Sequence, residues 1–278
     1  MKIQRLWALL LTASVSTLLA SSALASDPSN VRLEGLKTSE ERPLVFSVDS
    51  RYESDYVSDN GVPYGDPVSR TDLAVDLPYQ FRVGGSIIRG IGADDPYSDE
   101  EKLFIEKAFL FCDDWDLILG YRHEFLAQSK WNIRAPYMEL GKNFQFNSDV
   151  RIRAYARVEH WSAEATDDNG FLPELGLRLL AQLSPRFSLD LRLSAINDPG
   201  IQGGNGGIVG VAEGYLNFDV DQGGLTQIYT GGKLFNPWTD GPTDVRERRG
   251  VYEVGVRVKD IGEAGRKAVN FFKGETGN

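Results

Sequence analysis

The sequence predicts an all-β fold, a transmembrane antiparallel β-barrel of about twelve strands with short periplasmic turns and longer extracellular loops. Three observations carry this. First, the thirteen residues from Val150 to Ser162 alternate, with Val150, Ile152, Ala154, Ala156 and Val158 on one face. Arg151, Arg153, Tyr155, Arg157, Glu159 and Trp161 occupy the other, which is the period of a strand. An ordinary strand runs to roughly 5–6 residues; this one suffices for a tilted bilayer crossing, which takes about 9–11. Second, the connectors between such segments are alternately long and short, as in outer-membrane barrels. Third, aromatic residues gather near both strand ends, as two interfacial girdles require.

The elements follow in chain order. Lys2 and Arg5 precede an apolar run from Leu6 to Ala20, and Ala23 and Ala25 supply the small residues of a cleavage site, so residues 1–25 read as a secretory signal peptide. Its removal leaves 28 basic and 40 acidic residues, a net charge of −12, which excludes nucleic acid as a partner. The one cysteine, Cys112, has no mate for a disulfide and continues the apolar phase of strand 4. Residues 26–43 are polar and aperiodic, a periplasmic N-terminal linker.

The barrel is expected over residues 44–259. Its strands read as 44–56, 70–77, 79–91, 103–112, 116–127, 134–146, 149–162, 171–183, 186–196, 207–220, 225–235 and 249–259. In strand 5 Leu117, Leu119, Tyr121 and Phe125 oppose Arg122 and Glu124; in strand 9 Phe187, Leu189, Leu191 and Leu193 oppose Asp190 and Arg192. Strands 3, 4 and 11 fit this alternation poorly. Tyr79, Trp115, Phe187 and Phe218 form the girdle at the short turns; Tyr52, Tyr56, Trp131, Trp161, Phe235 and Trp238 form that at the long loops. Residues 260–278 make a C-terminal tail with helical character, and Phe271 and Phe272 lie inside it rather than ending the last strand.

Residues 47–68 resemble the first strand and loop of the TorF-type porins of Gram-negative bacteria, through Ser54, Asp55, Tyr56, Val57 and Gly61. The resemblance covers under a tenth of the chain and implies an outer-membrane barrel named for its fold. A shorter stretch, His160-Trp161-Ser162 with Asn169, Gly170 and Glu174, resembles the outer-membrane lipid A deacylases, the acyloxyacyl hydrolase-like barrels. That resemblance implies Ser162 as nucleophile, His160 as base and Glu174 as orienting acid of an esterase. Ala163 stands where that family has asparagine, and Glu174 falls in the inward phase of strand 8.

The inward faces hold the main candidate residues. Arg122, Glu124, Glu139, Arg151, Arg153, Arg157, Glu159, Arg178, Asp190, Arg192, Glu253 and Arg257, with Glu174 and Glu213, line a narrow lumen for ions or small polar solutes. The alternative is that opposite charges pair between strands and fill that lumen. Three arginines on strand 7 suggest anion handling, as in oligogalacturonate-specific porins, and the acids opposite dilute it. His123 and His160 fall in the outward phase, where amphipathic rings sit at a membrane interface. The acidic loop residues Asp94, Asp95, Asp99, Glu100 and Glu101, with Asp167 and Asp168, read as solvated charge, since calcium needs roughly 6–8 oxygens in a defined arrangement. The glycine-rich segment 203–207 lies between strands and so is a loop rather than a phosphate cradle. No cofactor or metal motif is read. The expected setting is the bacterial outer membrane, with lipid, lipopolysaccharide and the assembly machinery as partners.

Overall fold

The computed structural model describes residues 44–261, apart from 58–65, 92–98, 113, 127–131, 164–168, 199–206, 222–223 and 239–247. The signal peptide, the N-terminal linker and the tail beyond 261 lie outside the described residues. So do Gly61, Asp94, Asp95, Trp131, Asp167, Asp168 and residues 203–206.

Twelve strands follow in order: β1 (Val45–Glu53), β2 (Val68–Leu77), β3 (Phe81–Gly90), β4 (Glu100–Phe111), β5 (Trp115–Leu126), β6 (Ile133–Gln145), β7 (Val150–Ala163), β8 (Asn169–Ser184), β9 (Phe187–Asp198), β10 (Gly207–Asp219), β11 (Thr226–Pro237) and β12 (Arg249–Val258). Each pairs antiparallel with its neighbours in sequence, and β12 pairs with β1, Val258 opposite Val48 and Glu253 opposite Glu53. Closure removes the two edges an open sheet would leave, so the backbone groups of every strand have partners. The connectors after β2, β4, β6, β8 and β10, beginning with the 3₁₀ turn Pro78–Gln80, lie at one end of the barrel and span two to six residues; the six others, of five to fourteen residues, lie at the other.

The strands are charged inside and apolar outside. On β8, Glu174 and Arg178 are buried while Leu175 and Leu177 are 67% and 51% exposed. A soluble barrel would have the reverse arrangement. Strands 3, 4 and 11 do alternate: Arg82, Ser86 and Ile88 of β3, Lys102, Phe104 and Glu106 of β4, and Gln227, Tyr229 and Phe235 of β11 all point inward. Their inward faces mix charge with apolar or small residues, which hides the period.

Four other expectations are corrected. β1 ends at Glu53 rather than Tyr56. Tyr79 lies in the 3₁₀ turn with φ 60° rather than opening β3. Cys112 lies past the end of β4, exposed in a turn with φ 50°, so it does not extend the apolar face. Tyr56, Trp161 and Phe235 are buried in the barrel rather than girdling it, whereas Tyr52, Phe187 and Trp238 are exposed. Trp161 and Phe235 lie on the inward phase of β7 and β11, whatever their height along the strand, and Tyr56 turns inside beyond the end of β1.

Inward tyrosines lock neighbouring strands. Tyr137 lies directly opposite Gly120, and Tyr155 opposite Gly176. Each ring covers its glycine so closely that a Cβ there would overlap ring atoms. Glycine is needed here for space, and the ring then reaches a carboxylate: Tyr137 Oη donates to Glu106 at 2.6 Å and Tyr155 Oη to Glu174 at 2.7 Å. Gly176→Val is expected to displace Tyr155 and lower stability by about 1–3 kcal/mol, the usual cost of overpacking. The urea midpoint of the barrel in vesicles measures this. Gly214→Ala, which meets only the flexible Leu191 Cδ2 at 3.1 Å, should change stability by no more than about 0.5 kcal/mol.

Candidate functional site

The interior is built in two layers. Around the middle of the bore lies a belt of ion pairs whose order follows from the strand register. One run alternates sign through nine residues of β4 to β7: Glu100, Lys102, Glu124, Arg122, Glu159, Arg157, Glu139, Arg153 and Asp116. Within it Arg122 reaches Glu159 at 2.8 Å and Arg153 grips both oxygens of Asp116 at 2.5 and 3.2 Å. A second run crosses the closing seam. Arg51 holds Asp72 at 2.6 Å, Glu53 at 2.8 Å and Glu253 at 3.5 Å, while Arg257 and Tyr229 both bind Asp49. Between the runs, Arg192 binds Glu174 at 2.8 Å and Glu213 at 3.5 Å, and Arg178 forms a two-pronged pair with Asp190.

Every residue expected to line the lumen belongs to this belt except Arg151, which is half-buried at the short-turn end and bonds Gln145 at 3.0 Å. Reasoning from the sequence missed Asp49, Arg51, Glu53, Arg70, Asp72, Lys102, Glu106, Asp116 and Lys233. The signal was available, since Ser47, Asp49, Arg51 and Glu53 alternate with Phe46, Val48 and Tyr52.

The second layer is an apolar collar toward the long-connector end, and nothing in the sequence reading anticipated it. Val57, Val209, Val211, Phe235 and Val251 form one buried cluster; Ile133, Ala135, Trp161 and Leu172 form another. Ile196 packs against both, and Tyr56, Val68 and Ile88 make a third group. Polar residues interrupt the collar at β4 and β5, where Tyr56 Oη donates to Glu100 beside Lys102 and Glu124. An apolar ring of this kind is poorly wetted, whereas the belt below it is charged. Below the collar, a polar pocket with room for roughly one water molecule is lined by Arg51, Asp190, Tyr215, Asn217, Lys233 and Arg257.

The esterase residues are not brought together. Ser162 and His160 point out of the barrel, His160 edge-on to Phe171 at 4.8 Å between ring centroids. Glu174 is buried inside, opposite Arg157 and bound to Arg192 and Tyr155. The wall of the barrel therefore separates it from the other two. Among the described residues, no group of three or more His, Cys, Asp or Glu side chains is placed to hold a metal ion.

A closed barrel with charge within and hydrocarbon without defines a bacterial outer-membrane β-barrel of the porin type of fold. No protein-family model and no curated protein matches the chain. Among solved structures, the KdgM porin in complex with disordered oligogalacturonate is similar at 12% identity and a TM-score of 0.52, over 76% of this chain and 98% of that one. The NanC porin gives 12% identity and a TM-score of 0.49, over 77% and 99% of the two chains. The likeness to KdgM is one of fold.

Arg51 is the hub of the seam, and Arg51→Met would leave Asp72, Glu53 and Glu253 without their shared cation. Breaking a buried pair from one side costs about 3–5 kcal/mol. The variant is expected to lose heat-modifiable gel migration at a lower temperature than the wild type.

Proposed function

We propose that the protein is a narrow channel that passes ions or small polar solutes across the outer membrane. One observation carries this reading: each ion pair described above joins strands no more than two apart, so the charges pair along the wall rather than across the bore. The paired side chains are themselves buried, so a solute would pass by displacing them from the axis rather than through a standing opening. The resemblance of Ser54, Asp55, Tyr56 and Val57 to TorF-type porins supports the same reading. Here Tyr56 and Val57 enter the collar, and Asp55 binds Arg249 at 2.8 Å. Export by a signal peptide of residues 1–25 and insertion by the outer-membrane assembly machinery complete the proposal.

The sign of the lumen points to cations. Among the described residues, nine buried arginines and lysines face thirteen buried aspartates and glutamates. The oligogalacturonate of the KdgM structure is a polyanion, and this excess of carboxylates disfavours such a solute.

Single-channel recording on heat-modifiable protein is expected to show stepwise openings with a preference for cations. Arg153→Gln with Arg157→Gln leaves Asp116, Glu139 and Glu159 less neutralised, so the reversal potential should move further toward cation selectivity. Silence from a verified barrel, or no shift in that variant, would sink the channel and leave a filled, structural or adhesive barrel. The collar makes a separate prediction. Val211→Ser with Phe235→Ser should raise unit conductance at least about twofold, because wetting the constriction lowers the barrier there.

A further inference from the structure

Four adjacent strands each bring one polar residue to a continuous row on the outer wall. The register sets His123 of β5 opposite Arg134 of β6, Arg134 opposite Ser162 of β7, and Ser162 opposite Asn169 of β8. Directly opposed residues share a face with Cβ atoms about 4.5–5.5 Å apart. The four therefore make one row, about 14 Å long at the usual strand spacing. It faces lipid, because the chain neighbours of these residues, Arg122 and Glu124, Ile133 and Ala135, Trp161 and Ala163, are all buried inside. It also lies at the long-connector end, beside 127–132 and 164–168.

The surroundings point to an anionic headgroup with chains below it. Toward the short turns the same face is hydrocarbon, with Tyr121, Met138, Phe171 and Leu175 exposed. His123 stacks on Phe125 with ring centroids 4.2 Å apart, and among the described residues its enclosed Nε2 has no hydrogen-bond partner. An arginine on the lipid face is costly at mid-bilayer and nearly free at the interface, where its planar fork suits a phosphate.

We propose that this row binds a phosphate group of an outer-leaflet glycolipid, whose acyl chains lie along Met138, Phe171 and Leu175. Arg134 supplies the charge, and His123, Ser162 and Asn169 supply further hydrogen bonds. The role needs no contribution from Glu174, and the lipid leaves the site uncleaved. It rests on the long connectors facing outward and is independent of whether the lumen conducts.

The test uses protein extracted from outer membranes, delipidated by detergent exchange and shown to be folded by its heat-modifiable migration. Native mass spectrometry would compare bisphosphorylated lipid A, dephosphorylated lipid A and inorganic phosphate as probes. The bisphosphorylated lipid should be retained about tenfold more than the dephosphorylated form, in keeping with one charge-assisted contact. Arg134→Gln should remove that preference, Ser162→Ala with Asn169→Ala should weaken it, and Lys142→Gln at the opposite end should leave it intact. Equal retention of the two lipids, or a preference unchanged in both row variants, would overturn the proposal. So would equally strong retention of inorganic phosphate, which would mark a free-anion site, or recovery of lipid shortened by an acyl chain, which would restore the hydrolase.

Discussion

Hydrocarbon tolerates neither unpaired backbone groups nor unpaired charge, and this intolerance shapes the whole molecule. Closure of β12 on β1 meets the first demand. The second is met inside, where carboxylates and guanidinium groups are set within reach of each other by the register. Arg122 skips β6 to reach Glu159, and Arg153 skips it in the other direction to reach Asp116. The belt therefore ties alternate strands together as well as adjacent ones. A barrel of this kind resists deformation because shearing one strand breaks several ion pairs at once.

The two interior layers differ in chemistry. The belt is charged around most of the wall and is interrupted by two small apolar clusters, Ala74 with Phe104 and Ala108 with Ile118 and Tyr137. The collar is apolar over most of its circumference, with Glu100, Lys102 and Glu124 as the polar sector. The aromatic residues join the layers: Trp161 in the collar donates from Nε1 to Glu159 in the belt at 2.8 Å. Arg122 lies over the same ring.

The strands and their phase were legible in the sequence wherever charged residues recur on the inward face, as on β5, β7, β9 and β12. Where inward residues are apolar, as with Phe104 of β4 or Val209 and Val211 of β10, one face resembles the other and composition gives no help. The collar went unseen for that reason, and Trp161 was placed at the interface by its height without regard to its phase. The pairing partners were illegible for a different cause. Arg153 could serve Glu139, Glu159 or Asp116 on residue type alone, and only the register of three strands selects among them. The likeness of His160, Ser162 and Glu174 to a triad shows the same limit, since a motif read along the chain does not report which side of the wall each residue occupies.

The seam ties the first strand to the last. Asp49 is bound by Tyr229 and Arg257, and Arg51 by Glu253, pairs separated by about two hundred positions of chain. Contacts so distant in sequence form late, after the entropy of closing a long loop has been overcome. Until β12 arrives, Asp49 faces the interior without Arg257, and a chain truncated before β12 has no neutral way to shut. Closure should therefore complete only when the final strand docks on the first, with incomplete chains left open and exposed to proteolysis.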